Sequence, residues 1–458
     1  MFAGRDAELK RLNNLFETKK FECVVLHGRR RVGKTTLIRE FIKDKKAIYF
    51  SSQETCHIEN LRNLTRTIKD FQRDSFLETL EPKSFDDIFD YLYRLARSER
   101  VLIIIDDYQF LTQAERNISE IICRHIDQNL RYSRLMLVIS GGGEQIMSKE
   151  TLSTDSPFYG RRTAQITLKP FTFKEIRQYY DNYTLYDSTI LYGLTGGVPK
   201  YLEVMSPDIS IEDNIRRAYF DTSSFLFEEP VNILRREVRD LTYYSAVLSA
   251  IAGGHSKNSE IATAVGLDTA ACTAYLKNLM LMDIVKKHTP ITEKAGKKTI
   301  YTIEDYLFNF WYRFVPGNLS FIRIGMAPRI WRDIAREIPT YMNKVFDDIS
   351  RQWLTAQNDA GNLQINAVES GYWWGIDPVS KEHINIPIIA YSDDTNAIFA
   401  DSVWSEEPVD ADALESLINR SRLFYFRNKY YYLFSCSGFT SECARLAEKQ
   451  STNLIMIE

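Results

Sequence analysis

Short runs of β-branched and apolar residues alternate with amphipathic stretches over the first ~165 residues, a pattern that predicts a parallel sheet covered by helices on both faces. The runs are ECVVLHG (Glu22–Gly28), KAIYFSS (Lys46–Ser52), VLIIIDD (Val101–Asp107), RLMLVISGG (Arg134–Gly142) and TAQITL (Thr163–Leu168). Three of them are dense in Val and Ile, as strands buried on both faces should be. From Lys169 the β-runs stop and helical periodicity continues to about Glu237, opening on a Thr-x-x-Glu capping box at Thr172 and Glu175. Leu241 to Ile303 reads as three helices and a hairpin, with Gly266 between the second and third helices. That is the order of a winged helix. Beyond Tyr306 the chain turns aromatic (YLFNFWYRFV) and then mixes helices with the strands INIPIIAYS, NAIFADSVW and KYYYLFS. Four segments are expected: 1–168, 169–238, 239–306 and 307–458.

Composition narrows the class. The chain has 458 residues, and at roughly 100–200 residues per domain it should hold about three domains, each large enough for its own core. A net charge of −3 gives no bulk attraction to nucleic acid or acidic membranes. The six cysteines are scattered, none paired at the two-residue spacing of a zinc or redox motif, and the six histidines are equally dispersed. The longest apolar runs fall far short of the ~20 residues that a membrane helix needs. The first residues read as folded domain, not leader, so no membrane and a reduced, cytoplasmic location are expected.

The chemistry is concentrated in Gly28-Arg29-Arg30-Arg31-Val32-Gly33-Lys34-Thr35, which fits G-x-x-x-x-G-K-S/T at every fixed position. The glycines let backbone N–H groups turn toward phosphate oxygens, Lys34 brings a mobile positive charge, and the Thr35 hydroxyl is placed to ligate Mg²⁺. Thr36 follows in a helix whose N-terminus adds its dipole. A strand precedes the loop, as the motif requires. Far along the chain VLIIIDD ends a second strand in two acids. Asp106 is placed to hold Mg²⁺ through water, and Asp107 to orient or deprotonate the attacking water. Arg29, Arg30 and Arg31 read as partners of acids on neighbouring elements, with a direct phosphate role as the alternative.

These residues bring a family into view. The chain resembles the archaeal-type ATPases of the STAND branch of the AAA+ proteins. FAGRDAELKRL looks like that family's N-terminal box beside the base, through Phe2, Gly4 and Arg5. GRRRVGKTTLI matches its phosphate loop, SPFYGRRT its small loop before the fifth strand, and GGVPKYL its lid signature, through Gly197 and Pro199. The resemblance implies a P-loop AAA+/STAND ATPase core, a helical lid over residues 169–238, and ATP or ADP with Mg²⁺ as cofactors. It implies Ser140 as a γ-phosphate sensor, with a plain turn as the alternative. Arg161 and Arg162 are candidates for an arginine that senses γ-phosphate, and read equally well as surface arginines before a strand. The family has Asp-Glu where this chain has Asp106-Asp107, which bears on water positioning and not on Mg²⁺.

Lys286, Lys287, Lys294, Lys297 and Lys298 cluster on the expected wing against Glu293, enough to neutralise a few duplex phosphates. The expected recognition helix carries only Lys277 and Asn278 for base readout. From Tyr301 the resemblance implies an α+β restriction-endonuclease-like domain of the PD-(D/E)xK type over residues 307–458. Phe346-Asp347 stands for its Phe-Glu, YWWGIDP for its approach to the first strand, Asn385 for its metal-binding Asp, Asp401 for its Glu and Val403 for its Lys. A Val cannot move protons and an Asn carbonyl is a weak ligand, so the frame is expected to be an inactive nuclease. The leading expectation is a Mg-ATP switch of STAND type, slowly hydrolysing, whose nucleotide state controls the winged helix and the C-terminal domain. The alternatives are an ATP-gated DNA-binding or DNA-cleaving protein and a protein-binding module docking a partner through the C-terminal domain. Oligomerisation is compatible with all three.

Overall fold

The computed structural model describes residues 4–72, 82–142, 147–238, 240–291, 298–378, 381–393 and 395–457. Phe2 and the wing residues Glu293, Lys294 and Lys297 lie outside them. The chain forms two compact units: residues 1–170 with 198–200, and 171–197 with 201–458.

In the first unit β1 (Glu22–His27), β2 (Ile48–Ser51), β3 (Val101–Asp106), β4 (Leu135–Gly141) and β5 (Ala164–Thr167) form one parallel sheet in the order β2-β3-β4-β1-β5. Side chains alternate across it. Cys23, Val25, Ile103, Ile105, Leu137 and Ile139 face one layer of helices: α3 (His57–Gln72), α4 (Phe85–Ala96), α5 (Tyr108–Ala114) and α6 (Ile118–Gln128). Val24, Leu26, Ile104, Met136 and Val138 face α1 (Asp6–Glu17) and α2 (Lys34–Ile42), meeting Leu12, Leu37, Ile38 and Phe41. Each such side chain contributes about 1.5–3 kcal/mol when fully buried, so the doubly covered sheet is the rigid base of the unit. α4 starts at a capping box between Ser84 and Asp87. The register pairs Leu26 with Ser140, His27 with Gly141, and Ser51 with Asp106, so the carboxyl ends of four strands meet at one edge.

The second unit begins with the helix Phe173–Tyr179, whose capping box joins Thr172 and Glu175. Helices Leu241–Ala252, Asn258–Val265 and Thr269–Leu281 follow further on, then the antiparallel ribbon of β6 (Val285–His288) and β7 (Ile300–Ile303). The C-terminal part is a mixed sheet ordered β12-β11-β10-β9-β8, in which β8 (Glu369–Ile376), β9 (His383–Tyr391) and β10 (Asn396–Val403) are antiparallel. β11 (Asn428–Ser435) and β12 (Asn453–Met456) run parallel to β10. The aromatic run at 372–374 is part of β8 itself, an edge strand with a bulge between Gly371 and Trp373, where the sequence suggested only an approach to a strand. The helical stretch after Thr172 and the C-terminal part pack as one body because Gly193 leaves room for it. A side chain there would lie 3.0 Å from Met342 and Val345, and Tyr341 donates to the Gly193 carbonyl at 2.6 Å. Tyr186 stacks on Trp404 with ring centres 4.3 Å apart.

Candidate nucleotide site

The glycine loop emerges from β1 and closes into α2. Its backbone is left-handed at Arg31 (φ 72°) and Gly33 (φ 92°). At Gly28 the constraint is space as well: a Cβ would lie 2.3 Å from the Leu168 carbonyl oxygen. Only a residue without a side chain lets the loop pass that close to the end of β5. Val32 is fully buried and Thr36 is exposed on the first turn of α2. Lys34 Nζ donates to the carbonyls of Gly28 (2.8 Å) and Arg29 (3.0 Å), so its ammonium is bent back over the loop. The Pro199 ring sits 4.0 Å from where a Gly33 Cβ would be, and the Lys200 N–H donates to the Arg31 carbonyl at 3.4 Å.

The acids of β3 lie beside the loop. Thr35 Oγ1 donates to Asp106 Oδ2 at 2.9 Å, and Tyr49 on β2 donates to the same oxygen at 3.0 Å. Burial, with the Asp106 charge behind it, pushes the Tyr49 phenol well above its ordinary range, so it stays a donor. Asp107 is left-handed at φ 53°, a conformation that Asp tolerates better than most residues. Its Oδ1 accepts from Gln109 Nε2 at 3.1 Å, and its Oδ2 lies 3.4 Å from Ser51 Oγ. Ser140, one strand over, is completely buried, and its hydroxyl has no hydrogen bond among the described residues. Burial and the neighbouring Lys34 lower the pKa of His27, which keeps the end of β1 neutral. The pairing of Thr35 with Asp106 suits a hard divalent cation, and the backbone turns suit phosphate oxygens.

Other expected residues take different places. Arg5 is buried behind the loop, its Nη2 donating to the carbonyls of Val32 (3.3 Å) and Lys169 (2.6 Å), just after the left-handed Gly4. It braces the loop from outside. Gly197 belongs to the second unit, where a Cβ would lie 1.9 Å from the Phe171 carbonyl oxygen, so its glycine serves a backbone crossing. Arg161 lies with an acid. Its guanidinium binds Asp127 through Nε (2.9 Å) and Nη2 (2.8 Å), and Thr163 bonds Cys23 at the start of β1. Five strand residues at about 3.3 Å each separate Cys23 from Gly28, so the chain enters β5 at the edge of the sheet roughly 16 Å from the loop. Arg162 points to the Thr151 carbonyl at 2.5 Å.

In the second unit Asp401 on β10 forms an ion pair with Arg420, both mostly buried, and Arg420 also donates to the Asn385 carbonyl at 2.7 Å. Asp347 accepts from Ser402 Oγ and lines a cavity of about 300 Å³ together with Lys344, His288, Tyr372 and Asn385. Burial, aided by Asp401 and Asp348, pushes its carboxyl up to about 7. Among the described residues no group of three or more His, Cys, Asp or Glu could hold a metal ion. Asn278 spends its amide on the Tyr244 hydroxyl at 2.6 Å. Tyr49 and Arg420 leave no sequence signal because each acts on a residue distant in the chain, and Gln109, two residues from Asp107, leaves none because its second partner is the Gly142 N–H.

Strand order, loop and acid pair define a class: the first unit is a nucleotide-binding P-loop ATPase domain. Residues 2–205 match the family model of an ATPase domain predominantly from Archaea. Residues 311–414 match a second, described as archaea bacterial proteins of unknown function. An uncharacterized protein of Methanocaldococcus jannaschii is 28% identical over 410 residues, 89% of this chain and 88% of its own length. An uncharacterized ATP-binding protein of the same organism is 46% identical over 46 residues, 10% of this chain and 78% of its own. The solved structure of a Walker-type ATPase of Pyrococcus abyssi is similar with a TM-score of 0.53 at 20% identity, over 68% of this chain and 96% of its own. No helix among the described residues is long and apolar enough to cross a membrane.

Proposed function

We propose that the chain is a Mg-ATP switch: the first unit binds and slowly hydrolyses ATP, and the second unit, a winged helix joined to an inactive nuclease-like domain, answers to the nucleotide. The observation that carries this reading is the Thr35–Asp106 hydrogen bond beside the glycine loop, with Asp107 next in the chain. In this reading Thr35 and Asp106 hold Mg²⁺, which neutralises phosphate charge when bound, Lys34 leaves the loop carbonyls for phosphate oxygens, and Asp107 orients water. Ser140 contributes a hydroxyl from β4. The loss of nuclease chemistry is supported by Arg420, whose cation already occupies Asp401. Lys34→Ala should abolish ATP binding by calorimetry. Asp107→Asn should keep binding and lower single-turnover hydrolysis by about 10²–10⁴-fold, the usual worth of such a group. Intact binding in the Lys34 variant would overturn the assignment.

A second reading has its own support. Lys286 and Lys287 are exposed on β6 and Lys298 near the start of β7, so the ribbon is suited to duplex phosphates without base readout. Duplex retention that weakens steeply with salt and is lost when these lysines become glutamine would support it. Retention indifferent to salt would exclude it.

A further inference from the structure

We propose that Gln109 is a positioning residue of the ATPase site, locking the Asp107 carboxylate to the end of β4 beside Lys34. This rests on the reading of Asp107 as the water-orienting acid. Gln109 is 4% exposed, on the first turn of α5, in a place where a polar side chain must justify its burial by hydrogen bonds. It makes two. Nε2 donates to Asp107 Oδ1 at 3.1 Å, and Oε1 accepts from the Gly142 N–H at 3.0 Å. The partners fix the orientation of the amide, since a carboxylate only accepts and a backbone N–H only donates.

The two glycines at the end of β4 and just beyond it lie between this amide and the phosphate loop. A Cβ at Gly141 would lie 2.9 Å from Gln109 Oε1 and 2.5 Å from Met147 Sδ. A Cβ at Gly142 would lie 3.4 Å from Arg30 Cγ and 3.7 Å from Lys34 Nζ. The amide therefore ties the acid to backbone lying next to the phosphate-binding lysine. Asp107 sits in a left-handed turn, and one rigid donor on Oδ1 restricts its carboxylate while leaving lone pairs for a water. Movement of Gly142 would thereby be passed to Asp107 through a single side chain.

The test compares Gln109→Met, which keeps shape and loses both bonds, with Gln109→Glu, which puts a second carboxyl beside Asp107. Single-turnover hydrolysis and calorimetric ATP affinity are measured for both, beside wild type and Asp107→Asn. The methionine variant should lose ten- to a hundredfold in kcat, the scale for outer positioning partners, with affinity within twofold. The glutamate variant, which sets an acceptor against Asp107 Oδ1 in place of the amide donor, should lose kcat at least as much, again with affinity within twofold. A structural role alone would lower affinity and stability together and would not single out kcat. If Asp107→Asn is inactive while Gln109→Met hydrolyses like wild type, the Gln109 assignment falls and the ATPase reading stands. Loss of affinity in place of kcat also overturns it. If Asp107→Asn hydrolyses like wild type, the reading of Asp107 fails, and Gln109 with it.

Discussion

Gly28 carries the tightest local constraint in the first unit, and a methyl group there tests the loop directly. With a Cβ only 2.3 Å from the Leu168 carbonyl oxygen, Gly28→Ala must push loop or strand apart. ATP affinity should fall at least tenfold by calorimetry while the rest of the fold persists. Asp347 offers a second test at this scale, through pH. An acid whose folded pKa is about 7 against an ordinary 3.8 holds its proton more tightly folded than unfolded. Its contribution is complete below 3.8 and is lost as pH rises toward 7, at up to about 1.4 kcal/mol per unit within that window. Asp347→Asn should therefore gain stability relative to wild type as pH rises from 4 to 7, read from urea midpoints. No pH-dependent difference between the two would contradict the burial argument.

Whole elements were more legible than the contacts between them. The five strands of the first unit stand out because burial on both faces demands unbroken apolar runs, and the loop because phosphate geometry demands glycine, lysine and threonine at fixed places. Tyr49 and Gln109 left no such signal, since a tyrosine in a strand and a glutamine in a helix are ordinary until the sheet sets Tyr49 against Asp106 and Gly142 against Gln109. Arg161, open between a sensing and a surface role in the sequence, pairs with Asp127, because residues entering a parallel strand start at the edge away from a loop that leaves its neighbour. In the C-terminal sheet the acid of β10 was found and its cation was not, because Arg420 arrives on a separate helix, Ala411–Ser421. Arg420→Met should strand Asp401 without a counter-charge and cost about 1–3 kcal/mol in a denaturant titration, less than the 3–5 kcal/mol of a fully buried pair. Adding Asp401→Asn should restore much of it. A single variant as stable as wild type would show the pair to be idle.

At the scale of the molecule the ATPase unit is not a continuous piece of chain. Its last three residues, 198–200, return after an excursion through a helical stretch that belongs to the second unit. Pro199 then lies beside Gly33, 4.0 Å from where its Cβ would be, and the Lys200 N–H donates to the Arg31 carbonyl. The match to an archaeal ATPase domain likewise runs on to residue 205. A fragment ending at Pro170 should bind ATP more weakly than one ending at Met205, by tenfold or more in calorimetry, although both contain the whole glycine loop. Equal affinities would mean that the returning strand of chain adds nothing to the site.

That interleaving has a consequence for inheritance. A gene exchange with one breakpoint can hand a contiguous domain to a new neighbour intact. Here any single breakpoint before codon 198 leaves the phosphate loop without its proline, and any later one carries helices of the other unit along. The two units are thus spliced into one heritable block, and a lineage that swaps its C-terminal sheet must cut well downstream of the ATPase sheet to keep the loop working.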